Sequence, residues 1–479
     1  MEDMKTVLDH TKAHQKYFEE LTRIPHGSYH EDQVADFLVH FAQEHHLAYK
    51  RDAMHNVLIY KPASVGYEQH EPVLLQAHTD MVCEKNQATD FDFEKEPLQI
   101  YIEEGMLKAK GTTLGADDGV GVAYMLALLA DDTLSHPPLE CVFTVQEEVG
   151  LFGAMAIKKE DIHAKRMINL DDGGENLTCM ASAGGVNVIL SKEALYAPVH
   201  GSGYRLNVTG LSGGHSGGEI HKEKGNANKL LARVLYEIMQ HHGLQLQKIE
   251  GGLKDNAIPR EAYALFVSEA DKGSLQKSVE RLSAAICEEY AFSDEGLCIT
   301  LEEAQVEKAL ASDDTQALLQ LLRVLPDGMR HHSVHLEDLT TASSNLGVVR
   351  MEDTIYLNCS IRGAQESFVD DLAQEVEILA SAFGFDAKQE ARYPAWNFTK
   401  DSKLRQTMEQ VCQEVLGKEL QKISVHGGLE CGVFKALEPE MDIVTMGPKM
   451  EDIHTPQERL DLESFDRTYS FLRAFITKL

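Results

Sequence analysis

Lysine and arginine cluster nowhere in this chain, and the charge balance runs the other way, with 77 acidic against 45 basic residues and a formal charge of −32. Nucleic acid and anionic membrane surfaces are therefore excluded as expected partners, and part of the acidity is available to bound cations. Long apolar runs are missing too. The longest, VGVAYMLALLA from Val120, is about half of what a membrane-spanning helix needs. The start, MEDMKTVLDH, has neither the basic nor the apolar region of a secretory signal. The 8 cysteines stand far apart without a CxxC pair, which argues against a disulfide framework or a cysteine zinc site and fits reduced thiols in the cytoplasm. Prolines are few, and no low-complexity segment or long linker interrupts the chain.

What is present is an ordinary globular composition, 43% hydrophobic and 25% charged over 479 residues, enough for roughly two to four domains. The first third alternates helical periodicity (TVLDHTKAHQKYFEELTRI, YHEDQVADFLVHFAQEHHL) with short apolar runs (NVLIY, PVLLQAH, ECVFTVQ, RMINL). That alternation predicts an α/β fold with a mixed sheet flanked by helices. Past about Gly185 the pattern becomes α+β, reads as two similar units in tandem, and includes a hairpin around NLGVVRMEDTIYLNCSIRG. From about Ala395 the helix LRQTMEQVCQEVLG and the strand MDIVTMG return to the earlier style. The stretch between these two breaks is thus expected to be one inserted α+β domain.

The stretch TVQEEVG, from Thr144 to Gly150, ends an apolar strand with two adjacent carboxylates. Like charges side by side in a partly dry place repel unless something compensates. The other strands deliver similar groups. PVLLQAH ends in His78-Thr79-Asp80, RMINL in Asp171-Asp172, and MDIVTMG leads to His454, while the turn before the apolar helix holds Asp117-Asp118. Open α/β sheets gather their sites along the carboxyl edge of the strands. Imidazole and carboxylate without thiolate suit zinc, cobalt or manganese, and two such ions would offset the repulsion at Glu147-Glu148. One glutamate would then hold metal while the other faces a water and takes its proton. Asp80 is placed to accept a hydrogen bond from the imidazole nitrogen of His78 that faces away from metal. The glycine-rich loop SGGHSGG around His215 lacks the Lys-Ser/Thr of a P-loop. RHHSVH, with His331, His332 and His335, reads as a solvated loop, and Cys83 and Cys431 as buried free thiols.

HTDMV, GTTLGADDG, QEEVGLFGA, NLDDG and GPKMEDIHTP resemble the M20 family of dinuclear metallopeptidases. Within it, LSGGHSGGEIHKEKGNANKLL, DNAIPREA and HGGLECGVF resemble the aminoacyl-histidine dipeptidases, over nearly the whole chain and in the family's order. The resemblance implies a zinc-peptidase-like catalytic domain formed by residues 1–186 and 395–479, with 187–394 inserted as a lid. It also implies that His78 and Asp171 hold one metal, that Glu148 and His454 hold the other, and that Asp117 bridges them. Asp80 would orient His78, and Glu147 would be the general base. His215 would stabilise the oxyanion, Arg362 would meet the substrate carboxylate, and Asn256 and Gly428 would be further substrate contacts. The implied activity is hydrolysis of dipeptides of the Xaa-His type, with broad tolerance, in the cytoplasm, by a chain that can form homodimers. Two other readings stand beside it: another M20 amidohydrolase, such as a tripeptide aminopeptidase or an N-acyl-amino-acid deacylase, and a non-catalytic metal-binding protein on the same fold.

Overall fold

The computed structural model describes residues 6–199, 201–334 and 339–479. It divides into two compact units. The first comprises Met1–Ala181, Trp396–Ser424 and Leu429–Leu479, and the second Ser182–Ala395 with Val425–Gly428.

Unit 1 is built on a six-stranded sheet in the order Ala48–Arg51, Val57–Lys61, Leu139–Thr144, Val73–His78, Arg166–Asn169, Asp442–Thr445. The first two strands run antiparallel to their neighbours, and the remaining four are mutually parallel. Parallel strands are covered on both faces, which is why Leu139–Thr144 and Val73–His78 are largely apolar and buried at every position. The helix Ala116–Leu129 is buried all round, packed among the sheet, the helix Ala13–Leu21 and the C-terminal helix Leu462–Thr477, so it shows no polar face. Truncating a fully buried residue such as Leu75 to alanine would cost about 2–5 kcal/mol. Because the four parallel strands point the same way, whatever follows them emerges at one edge: Thr79 after His78, Val145 after Thr144, Leu170 after Asn169 and Met446 after Thr445.

In unit 2 the two α+β stretches read in tandem share one sheet of nine strands. Its centre is the hairpin Thr340–Met351 and Thr354–Gly363. Gly184–Glu193 pairs with the second arm along ten residues, and Gln245–Gly251 joins the first arm at Gly251. This last pairing fuses the two halves into a single surface. The helices Ala227–His242, Lys272–Glu289, Ser312–Val324 and Glu366–Ala382 share its apolar core. Each shows apolar residues at helical spacing, such as Leu231, Leu235 and Ile238 in the first. The composition break near Gly185 falls inside the strand Gly184–Glu193, which continues the pairing of unit 2. The four-residue return Val425–Gly428 has no compositional mark.

Two smaller expectations change. His331 and His332 sit on an exposed strand, Gly328–His332, instead of a loop, and His335 lies outside the described residues. Cys83 is exposed, whereas Cys431 is buried as expected. No described helix is long and apolar enough to cross a membrane.

Candidate functional site

The residues expected at the sheet edge of unit 1 come together there. His78 ends its strand, fully paired opposite Thr144, and its Nε2 lies 3.0 Å from Asp117 Oδ1 and 4.0 Å from Asp171 Oδ1. The other oxygen of Asp117, Oδ2, lies 3.0 Å from His454 Nε2, and His454 Nε2 lies 2.8 Å from Glu148 Oε1. Ligand atoms of His78, Asp117 and Glu148 all fall within 4.8 Å of one another. Of each aspartate pair, the first faces this cluster. Asp118 turns instead to the N–H of Gly121 at 3.1 Å, and Asp172 takes a hydrogen bond from Thr445 Oγ1.

The two glutamates are held apart by a sharp turn. The strand ends at Thr144, and Gln146 and Leu151 both have positive φ, 53° and 60°. A Cβ on Gly153 would stand 2.1 Å from the carbonyl oxygen of Val145, so only glycine lets the following helix start this close. Asp80 has a larger part in this turn than expected. Its Oδ1 accepts from the N–H of Glu147 at 3.0 Å, and its Oδ2 from the N–H of Glu148 at 3.3 Å and from Ser28 Oγ at 2.7 Å. The nearest acceptor for His78 Nδ1 is the backbone carbonyl of Asp80 at 2.9 Å, with its carboxylate oxygen at 3.5 Å. The expected orientation of His78 by Asp80 thus runs chiefly through the main chain, and the carboxylate holds the glutamate backbone.

The electrostatics are those of a crowded acidic site. Burial pushes Glu147 and Asp171 well above the usual carboxylate range, with neighbouring carboxylates adding to it. Burial pushes Asp117 the same way, but His454 and His78 outweigh it and hold the group low. His454 is drawn up to about 10 by Asp117 and Glu148. Glu148 Oε1 is buried and makes no hydrogen bond despite its closeness to His454. Donor atoms that converge this closely, with one buried carboxylate oxygen left without a hydrogen bond, fit a divalent cation between them, and the all-N/O donor set suits zinc, cobalt or manganese.

A second buried acid lies behind the strand ends. Gln76 shares a strand face with His78 and donates through Nε2 to Glu430, while Thr144 Oγ1 donates to the same Glu430 oxygen at 2.8 Å. Nothing in the sequence around Glu430 signalled this contact, because it depends on the helix Glu430–Leu437 meeting two distant strands. Burial raises the pKa of Glu430 from 4.5 to about 7. A raised folded-state pKa contributes stability that is present below the unfolded value and lost as pH rises through about 7, a change of about 3 kcal/mol. Glu430→Gln is therefore expected to flatten the pH dependence. In chelator-treated protein, urea unfolding from about pH 5 to about pH 8 should lose roughly 3 kcal/mol less than in the wild type. Parallel profiles would contradict the assignment.

The remaining predicted residues belong to unit 2. Arg362 is 8% exposed, and among the described residues no carboxylate pairs with it. Its Nη1 donates to Tyr393 Oη at 3.1 Å, and its Nε has no partner. Beside it His426, buried, lies 2.7 Å from Ser343 Oγ. Burial first, and then the Arg362 charge, lower its pKa to about 3, so it stays neutral. A Cβ on Gly428 would stand 2.7 Å from the Tyr393 ring, so the loop packs here only as glycine. A buried guanidinium lacking an anion has donors in a geometry that a carboxylate matches. His215, exposed, accepts at Nδ1 from the N–H of Gly218 at 3.1 Å. Asn256, also exposed, takes the N–H of Ser216 on its backbone carbonyl at 2.8 Å.

The description "Peptidase family M20/M25/M40" matches residues 74–478, and the chain belongs to that family. The cytosol non-specific dipeptidase of Escherichia coli (strain K12) is 37% identical over 469 residues, which cover 96% of each chain. The crystal structure of aminoacylhistidine dipeptidase from Vibrio alginolyticus matches with a TM-score of 0.85 at 32% identity, covering 98% of this chain and 96% of that one. Aminopeptidase PepT from Bacillus cereus shares the fold, with a TM-score of 0.55 at 16% identity over 98% of this chain and 99% of its own.

Proposed function

We propose that this protein is a cytoplasmic metal-dependent dipeptidase that accepts Xaa-His dipeptides among others. The observation that carries the reading is Asp117, whose two oxygens face His78 and His454 at 3.0 Å each, as a carboxylate shared between two cations would. The names of the Escherichia coli and Vibrio alginolyticus relatives support the substrate class. His78 and Asp171 would hold one ion, Glu148 and His454 the other, and Asp117 both. Zinc suits this donor set best, with cobalt or manganese as substitutes. When bound, the pair of ions supplies Lewis acidity, lowering the pKa of a water and polarising the scissile carbonyl.

The chain's own residues do the rest. Glu147, whose burial gives its carboxylate a raised proton affinity, takes the proton of the attacking water and returns it to the leaving amine. Asp80 keeps the Glu147-Glu148 backbone in place through its two accepted N–H groups. His215 donates to the oxyanion. Arg362 binds the substrate carboxylate, with Asn256 and Gly428 completing the peptide contacts. A homodimer is compatible with this reading.

Turnover of β-alanyl-histidine, a tripeptide and an acetylated amino acid by zinc-loaded protein tests the reading. Cleavage of the dipeptide is expected, and cleavage of the acetylated amino acid alone would replace the dipeptidase with a deacylase. Arg362→Ala is expected to lower kcat/KM for a dipeptide about 10- to 100-fold, the worth of hydrogen bonds to a charged group, and to leave a dipeptide amide almost unaffected. An equal loss on both substrates would remove Arg362 from carboxylate recognition.

A further inference from the structure

His454 and Asp117 lie in segments remote in sequence, and one side chain joins the backbones that carry them. Glu458, four residues after His454, is 3% exposed. Its Oε2 accepts from the N–H groups of Leu114 and Gly115 at 2.7 and 3.2 Å, and its Oε1 from that of Ala116 at 2.8 Å. These successive N–H groups belong to the turn that leads into Asp117, where Gly115 has φ 68°. Consecutive N–H groups turned towards one point make an anion seat, filled here from within the chain. Burial raises the Glu458 pKa, and the three N–H groups oppose the rise.

The segment bearing Glu458 is wound tightly. The N–H of Glu458 donates to the carbonyl of Thr455 at 3.0 Å, and Thr455 Oγ1 donates to that of Asp452 at 2.7 Å. His454 and Glu458 thus share one short turn, and the clamp at Leu114–Ala116 ties that turn to the backbone just before Asp117. His78, in contrast, is fixed by its own strand.

We propose that Glu458 is a positioning residue that sets the separation of Asp117 and His454, and thereby the affinity of the ion held by Glu148 and His454 without a matching effect on the other. The inference rests on the ligand assignment above. Calorimetric titration of metal-free, full-length protein with zinc tests it, with His454→Ala marking which binding step belongs to the His454 ion. Glu458→Gln keeps the side-chain shape but turns an amide N–H₂ against N–H donors. It should weaken that step by about 10- to 100-fold, the usual loss when a residue supporting a metal ligand is removed, and leave the other step nearly intact. Excess zinc should then restore kcat with KM unchanged. Glu458→Asp, one methylene shorter, should fall between the two, and it carries the same criteria should the glutamine variant fail to fold. Wild-type affinities in the variants, or equal weakening of both steps, would overturn the inference while leaving the ligand assignment standing. A wild type that binds fewer than two ions would overturn both.

Discussion

Glu147→Gln is expected to lower kcat about 10²- to 10⁴-fold, the range a general acid–base group contributes, while the protein keeps its full complement of metal. The amide retains the size and polarity of the side chain but cannot take a proton from water. The variant also leaves the backbone N–H of Glu147 in place to donate to Asp80, so the turn that presents Glu148 should be unchanged. The measurement is paired: turnover of a dipeptide at saturating substrate, and metal content of the same preparation. Retained turnover with retained metal would move the general base to another residue. Lost metal would show that Glu147 is a ligand.

The second large effect belongs to Asp117. Its two oxygens face imidazoles on opposite sides at 3.0 Å, so Asp117→Ala removes a contact common to both expected cations. Loss of a group stabilising the transition state by several kcal/mol corresponds to a fall in kcat/KM on the order of 10³-fold or more. Zinc uptake should fall below two ions per chain. The parallel substitution Asp118→Ala should leave zinc uptake intact, because that side chain faces the helix N–H of Gly121. If the two variants exchanged behaviour, the assignment within the Asp117-Asp118 pair would be reversed.

Much of the sheet could be read in the sequence because parallel strands buried on both faces leave largely apolar runs, as in PVLLQAH and ECVFTV. The polar residues straight after those runs stood out for the same reason, and the structure gathers His78, Asp117, Glu148, Asp171 and His454 at one edge. Asp80 was visible as a neighbour of His78, but its hold on the Glu147 and Glu148 backbone was not, since that contact depends on how two adjacent strand ends meet. Glu430 and Glu458 were invisible for a related reason. Each acts through partners hundreds of positions away, and a single acidic residue in a loop or at a helix start carries no local mark. The merging of the inserted half-sheets was missed because one residue pair, Gly251 and Val349, makes the join. In unit 2, Arg362 stood out only by resemblance, and its lack of an anionic neighbour required the folded structure.

The interruption of unit 1 by unit 2 bears on biosynthesis. Asp117, Glu148 and Asp171 leave the ribosome about 300 residues before His454 does. At usual elongation rates of about 5–20 residues per second, that delay lasts roughly 15–60 s. During this interval the strand Asp442–Thr445 has not yet covered Arg166–Asn169, and the acidic groups lack one imidazole of their set. On the ligand assignment proposed above, the centre would be completed only once His454 has been made, and a nascent chain ending before it would carry most of the proposed ligands without the means to complete the centre.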